Sequence, residues 1–233
     1  MNLGTLRAKV KRDHPEANTF TDAQINTELN ESQLEIAFFT DCLPTTSNQS
    51  LTFGTETFAL PTDFLKPDRE GGVLAKVNSS NTKFDRLVYR TEEELDQLFP
   101  FWRDASASTP HSYFIRDSNI HIYPKQATTT VASGLRSYYF QKPTSMDSDG
   151  TQPWNSRSYL EPFHKVICMH TAMTLLTAIK KYSDAQAIET LYADRILAMR
   201  TFMTGEMLRD WSPDVRMGYN ARQWGGRKAG RFA

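Results

Sequence analysis

The chain has 233 residues, 39% of them hydrophobic and 23% charged, with 27 basic side chains against 27 acidic ones. That length builds one good core or two small lobes sharing one, and the composition is that of a slightly polar globular protein. No apolar run approaches the roughly 20 residues that span a bilayer, and the first twenty residues lack the apolar segment and small-residue cleavage site of a secretory signal. Cys42 and Cys168 are isolated thiols that make neither a disulfide framework nor a CxxC pair, which fits a reducing cytoplasm or something assembled there.

In chain order, a short helix is expected over Leu3 to Arg12 from Leu6 and Val10, ending before Pro15. A second helix is signalled by four agreeing cues. Thr21 and Gln24 have the spacing of a capping box, Phe20 and Ile25 that of a hydrophobic staple, and Ile25, Leu29, Ser32 and Ile36 recur at helical spacing with Phe39 continuing the row. From about residue 44 to 153 the character changes. This stretch holds eight of the eleven prolines and is rich in Thr, Ser and aromatic residues. TFGTETFALP alternates as a half-buried strand does. Tyr113 to Arg116 and Ile120 to Tyr123 flank Asp117-Ser118-Asn119, which is hairpin chemistry. LRSYYFQKP is a further strand stopped by Pro143, and Thr91 with Glu94 caps a short helix, EEELDQL.

Helix returns from about Tyr159 to Tyr182. Ser183 with Gln186 then reads as a third capping box, opening a helix with Ile188, Leu191, Arg195, Met199 and Phe202 on one side. Two helices of roughly 24 to 26 residues would be about 36 to 39 Å long and form an antiparallel hairpin. The expected fold is therefore α+β: a body of about four helices from residues 1–43 and 154–211, a small antiparallel β-domain inserted at 44–153, and an extended basic arm at 212–233.

The arm has the most distinctive composition. Arg216, Arg222, Arg227, Lys228 and Arg231 stand among Tyr219, Trp224 and Phe232 with no acid after Arg216, leaving 22 basic against 27 acidic residues before it. So little apolar surface does not fold alone, and such a segment orders on a partner. Arg and Trp anchor protein interfaces, whereas Arg also pairs with phosphate. A protein groove, nucleic acid and a merely solvating end are the three readings.

Other candidate chemistry is weak. His164 and Cys168, with His170 nearby, share an apolar helix, and two ligands are not a metal site; packing accounts for them. Glu92, Glu93 and Glu94 sit where a helix macrodipole favours acids. Phe99, Phe101, Trp102, Tyr113, Phe114, Tyr138, Tyr139 and Phe140 form either the core of a small sheet or a stacking surface for sugars or bases. No GxSxG, Walker loop, HExxH or GxGxxG occurs. The expectation is a protein that is not an enzyme and needs no cofactor or metal.

The order of TFTDAQINTELNESQLEIA, FALPTDFLKP, YFIRDSNIHIYPK, LRSYYFQKP and YLEPFHKVI resembles the head-to-tail adaptor proteins of tailed phages, and most closely the tubular-tail-protein-A type of short-tailed phages. The resemblance covers about residues 1 to 210. It implies a structural virion protein of the neck, assembled in the host cytoplasm as a ring, commonly of twelve copies. Such a ring lies between the portal and a nozzle-like tail protein, lining the channel through which DNA leaves. It also implies that the C-terminal segment docks on the portal, here with Arg216, Tyr219, Arg222, Trp224, Arg227, Arg231 and Phe232 as contacts. A nucleic-acid-binding protein using the same arm is the alternative.

Overall fold

The computed structural model describes residues 1–68, 71–76, 83–126 and 130–209. Helix α1 spans Leu3–Asp13, capped by Asn2, whose side chain accepts from Thr5 N–H at 3.0 Å. Pro15 stops it and opens a 3₁₀ turn over Pro15–Thr19. Helix α2 spans Asp22–Thr40, and the expected capping box is formed: Gln24 N–H donates to Thr21 Oγ1 at 3.3 Å and Thr21 N–H to Gln24 Oε1 at 2.9 Å. The inward row runs through Ile25, Leu29, Ser32 and Ile36 as expected, then continues to Thr40 rather than Phe39. A step of four follows Ile36, Thr40 satisfies its hydroxyl on the Ile36 carbonyl at 2.7 Å, and Phe39 turns to solvent.

Among the described residues nine strands follow, in two sheets. One sheet contains β1 (Pro44–Leu51), β9 (Val131–Gln141), β4 (Val73–Ala75) and β5 (Asp85–Arg86) in that order, with β3 (Phe64–Pro67) also pairing β9. The other runs β2 (Thr57–Ala59), β8 (Asn119–Tyr123), β7 (Ser112–Arg116), β6 (Val88–Tyr89). Every pairing is antiparallel except β6 with β7, which is parallel, so the expected antiparallel region is mixed at one edge. The chain crosses from one sheet to the other at Leu87, which is buried and donates its N–H to Val73 O at 2.9 Å.

TFGTETFALP yields only the short β2. Gly54 takes φ +71° and Thr55 N–H closes a turn on Thr52 O, so the first half of the alternation bends instead of extending. The β7–β8 hairpin forms with Asp117 and Ser118 both at positive φ and Asn119 already in the strand, the mirror-image turn that matches strand twist. A Cβ on Gly134 would sit 2.8 Å from Leu51 Cβ and from Val131 O. This is where β1 and β9 shift register between Gln49 and Leu51, so the bulge needs glycine there. Short helix α3 spans Glu92–Leu98 under its Thr91–Glu94 box.

The expected helix from Tyr159 is shorter at both ends. Pro162 cannot supply a donor, so Ser158–Phe163 is 3₁₀ and α4 spans His164–Ala178. At the far end Lys180 is left-handed at φ 61°. Lys181 N–H bonds Leu176 O at 2.9 Å and Lys180 N–H bonds Thr177 O at 3.0 Å, a Schellman closure. Helix α5 (Tyr182–Arg209) then starts one residue before Ser183. The hydroxyl of Ser183 meets Asp184 and no capping bond to Gln186 forms, because Lys181 O already accepts the first helical bond, from Ala185 N–H.

Two cores result. Helices α1, α2, α4 and α5 enclose Leu6, Val10, Ile25, Leu29, Ile36, Ile167, Leu175 and Met199, and draw in Leu43, Met146 and Trp154 from the flanking chain. The sheets enclose Leu51, Val73, Leu87, Tyr113, Ile120, Ile122 and Leu135.

Candidate functional site

The predicted docking residues Arg216, Tyr219, Arg222, Trp224, Arg227, Arg231 and Phe232 lie outside the described residues. The sites that can be built are therefore on the body.

His164 and Cys168 are both buried. His164 Nδ1 is 2.6 Å from the Met1 ammonium, and its ring lies against Trp154 with centroids 5.8 Å apart. Burial, with the ammonium adding to it, drops its pKa to about 4, so the ring is neutral. Burial likewise pushes the Cys168 thiol up to about 12, and its Sγ lies 3.8 Å from Leu6 O. A neutral imidazole and an inert thiol in an apolar seam are packing groups. Among the described residues no three His, Cys, Asp or Glu converge as metal ligands.

Of the middle-zone aromatics, Tyr113, Phe114, Tyr139 and Phe140 are buried. Phe114 stacks on His121 at 4.7 Å, while Trp102 meets Phe114 and Tyr123 edge-on. They form a sheet with its aromatic cover. The cover is fixed by Asp96, which accepts from Trp102 Nε1 at 2.7 Å and from Arg103, while Glu92 accepts from Arg116 at 3.1 Å. Phe101 at its tip is 82% exposed.

A polar hub on α2 fixes how the chain re-enters the helical core. Gln33 is buried; its Oε1 accepts Trp154 N–H at 3.1 Å, its carbonyl accepts Trp154 Nε1 at 3.2 Å, and its Nε2 donates to Thr144 O at 3.1 Å and Asn30 Oδ1 at 2.9 Å. Asn30 Oδ1 also accepts Met146 N–H at 2.7 Å. These bonds hold three consecutive residues, Trp154, Asn155 and Ser156, at φ between 51° and 58°, where each ordinary residue costs about 1–2 kcal/mol. The composition gave no sign of this hub; a Gln at an inward helical position was the one available signal.

The outer surfaces of α2 and α5 differ in kind. Between Ala23 and Thr40, α2 carries Glu28, Glu31 and Glu35 and no base, and it exposes Leu34, Phe38 and Phe39. Crowding by burial and by Glu31 raises the Glu28 carboxyl pKa. Helix α5 does not turn Leu191 and Arg195 inward as expected. Its inner row is Ala185, Ile188, Tyr192, Ile196, Met199 and Met203, the steps of three and four that one face requires. Opposite, Ala187, Thr190, Leu191, Asp194, Ala198 and Thr201 are all exposed, one carboxylate on an otherwise uncharged face. A shallow groove of about 380 Å³ between α4 and α5 is lined by Met173, Tyr192, Ala193, Ile196 and Leu197, with Glu189 and Arg200 as its first and last residues on α5.

No helix among the described residues is long and apolar enough to cross a membrane. The described residues form an α+β body that displays apolar helix faces on α2 and α5. Residues 1–218 match the family model of the SU10 adaptor protein, and the chain belongs to that family of phage structural adaptors, proteins of the virion. No curated protein matches it.

Proposed function

We propose that the chain is a subunit of a head-to-tail adaptor ring, a dodecamer seated between the portal and the tail nozzle and lining the channel through which DNA leaves. The observation that carries this is the family match over residues 1–218. In this reading the helices pack side by side around the channel and the sheets between α2 and α4 face the tail, as in the tubular-tail-protein-A type. The helical body is residues 1–43 and 154–211 and the β-unit residues 44–153, with Met146 from the end of that unit packing into the helical core. The arm, 212–233, docks on the portal through Arg216, Tyr219, Arg222, Trp224, Arg227, Arg231 and Phe232. Ordering it only there opposes assembly away from the portal. The acidic excess of the rest of the chain keeps passing phosphates from adhering.

Deleting residues 212–233 leaves a folded protein that no longer binds portal rings; unchanged portal binding would sink the assignment of the arm. The five bases of the arm also support a phosphate clamp. In that case duplex DNA binding appears at about 50 mM salt and falls with a log–log slope of about −0.9 per phosphate contacted, and the deletion removes it.

A further inference from the structure

We propose that copies of this chain contact one another heterologously, the acidic aromatic stripe of α2 in one copy seating on the α4–α5 groove of the next. The proposal deepens the ring reading above by naming the two surfaces that meet.

Three observations point to a second copy as the occupant. The first is shape. Phe38 and Phe39 stand out from α2 and touch each other edge-on at 5.6 Å, so they form a paired aromatic knob. The groove, an apolar hollow of about 380 Å³, is lined by Ala193, Ile196 and Leu197, the last 64% exposed. The second is charge. Glu28 and Glu31 have no ion pair among the described residues, and neither have Arg195 and Arg200. On α1, by contrast, Arg7, Lys9, Lys11 and Arg12 are all paired. Between Arg195 and Gly205, α5 carries those two arginines and no acid. Asp184, Glu189 and Asp194 precede that stretch and Glu206 follows it. Seven residues separate Glu31 from Phe38, about 10 Å along the helix, so a knob in the groove leaves Glu31 within reach of the arginine end. The third is composition. Helix surfaces that stay in water are polar, yet the groove exposes Ala193 and Leu197 between its end residues Glu189 and Arg200.

The two surfaces are different patches of one chain, so the contact is head-to-tail and propagates from copy to copy instead of closing on a two-fold axis. Glu35 is partly engaged at home, 3.4 Å from His170, which leaves Glu31 and Glu28 as the carboxylates that meet the next copy.

The test uses the full chain in sedimentation velocity over a concentration series, with circular dichroism to confirm folding. The wild type self-associates weakly, toward the top of the series, because the arm that favours full assembly is ordered only on the portal. Glu31→Arg and Arg200→Glu each weaken association about tenfold or more, as reversed charges at an interface do. An equimolar mixture of the two variants then regains association in alternating order, because one contact has both charges exchanged and the next has both native, whereas either variant alone meets like charge. Phe38→Ala, which leaves the net charge unchanged and removes the ring that lies 4.7 Å from the Lys66 ammonium, weakens association about thirtyfold. A wild type that stays monomeric throughout, variants that associate normally, or a mixture that remains monomeric overturns the proposal. Portal binding by the same variants separates this result from the adaptor reading: normal portal binding with no copy-to-copy contact leaves the adaptor standing and removes this interface.

Discussion

Gln33→Met keeps the length and volume of the side chain and removes its polar atoms, so it isolates the hub that closes the helical core. The Trp154 N–H is buried and loses its only acceptor, Gln33 Oε1 at 3.1 Å; a buried donor left unpartnered costs about 1–3 kcal/mol. Thr144 is exposed, so its carbonyl finds water and adds little. Asn30 keeps its bond from Met146, and Trp154 Nε1 keeps the Gln33 carbonyl. The sum is about 2–3 kcal/mol, a large share of the roughly 5–15 kcal/mol that stabilises a domain. For a chain of this size it lowers Tm by about 4–12 °C. Urea unfolding followed by tryptophan fluorescence reads the loss as a lower midpoint at unchanged slope. A Gln33→Met midpoint equal to wild type would refute the claim that Gln33 satisfies Trp154, and with it the account of what holds residues 154–156 left-handed.

Ser183→Ala costs less than about 0.5 kcal/mol because Ser183 is not the cap of α5, while Lys180→Gly stabilises by up to about 1 kcal/mol by relieving a left-handed residue; a thermal melt that reverses this ranking restores the capping box. Gly134→Ala forces Leu51 and Val131 apart and costs about 1–3 kcal/mol, read in the same melt. His164 takes up a proton near 6.5 when unfolded but only near 4 when folded, so the unfolded state binds more protons between those values. Stability is therefore full above about pH 6.5 and declines as pH falls towards 4. In urea midpoints against pH, His164→Gln flattens that decline; an unchanged slope would show that His164 is not its source.

What was legible in the sequence was what local chemistry decides. Thr21 with Gln24 and Thr91 with Glu94 formed their boxes because each N-cap hydroxyl and reciprocal side chain act within one turn. The hairpin at Asp117–Ser118 followed from residues that tolerate positive φ. The third box failed for a non-local reason: the Schellman closure at Lys180 set where α5 begins before Ser183 could act. Strand β1 was not anticipated, because Thr45 to Ser50 has no apolar alternation. It is a strand by virtue of pairing with β9 from Pro44↔Phe140 to Leu51↔Val131. Trp154 gave no hint of its partners, since Gln33 lies 121 positions away. The candidate site divides the same way. The arm is a matter of composition and lies outside the described residues, whereas the α2 and α5 surfaces required knowing which face each helix turns inward.

Helix α2 links the fold to the proposed contact. Its inner row is in the core, Gln33 and Asn30 hold the chain from Thr144 to Trp154 against one side, and Lys66 of β3 reaches the Phe38 carbonyl and Asp41 at its end. A helix held on three sides presents Glu31, Leu34 and Phe38 in one orientation, so little side-chain and backbone freedom remains to be lost on docking. Loosening one of those holds should therefore weaken pairing without touching the interface. Gln33→Met, measured well below its melting temperature where it is almost wholly folded, is expected to weaken self-association a few-fold, since about 1.4 kcal/mol corresponds to tenfold and only part of the loss is felt at the surface. Leu34→Ser, on the stripe itself, weakens it more than Gln33→Met does at equal folded fraction. If Gln33→Met associates as tightly as wild type while Leu34→Ser does not, the stripe is ordered by the helix alone and the hub serves the core only.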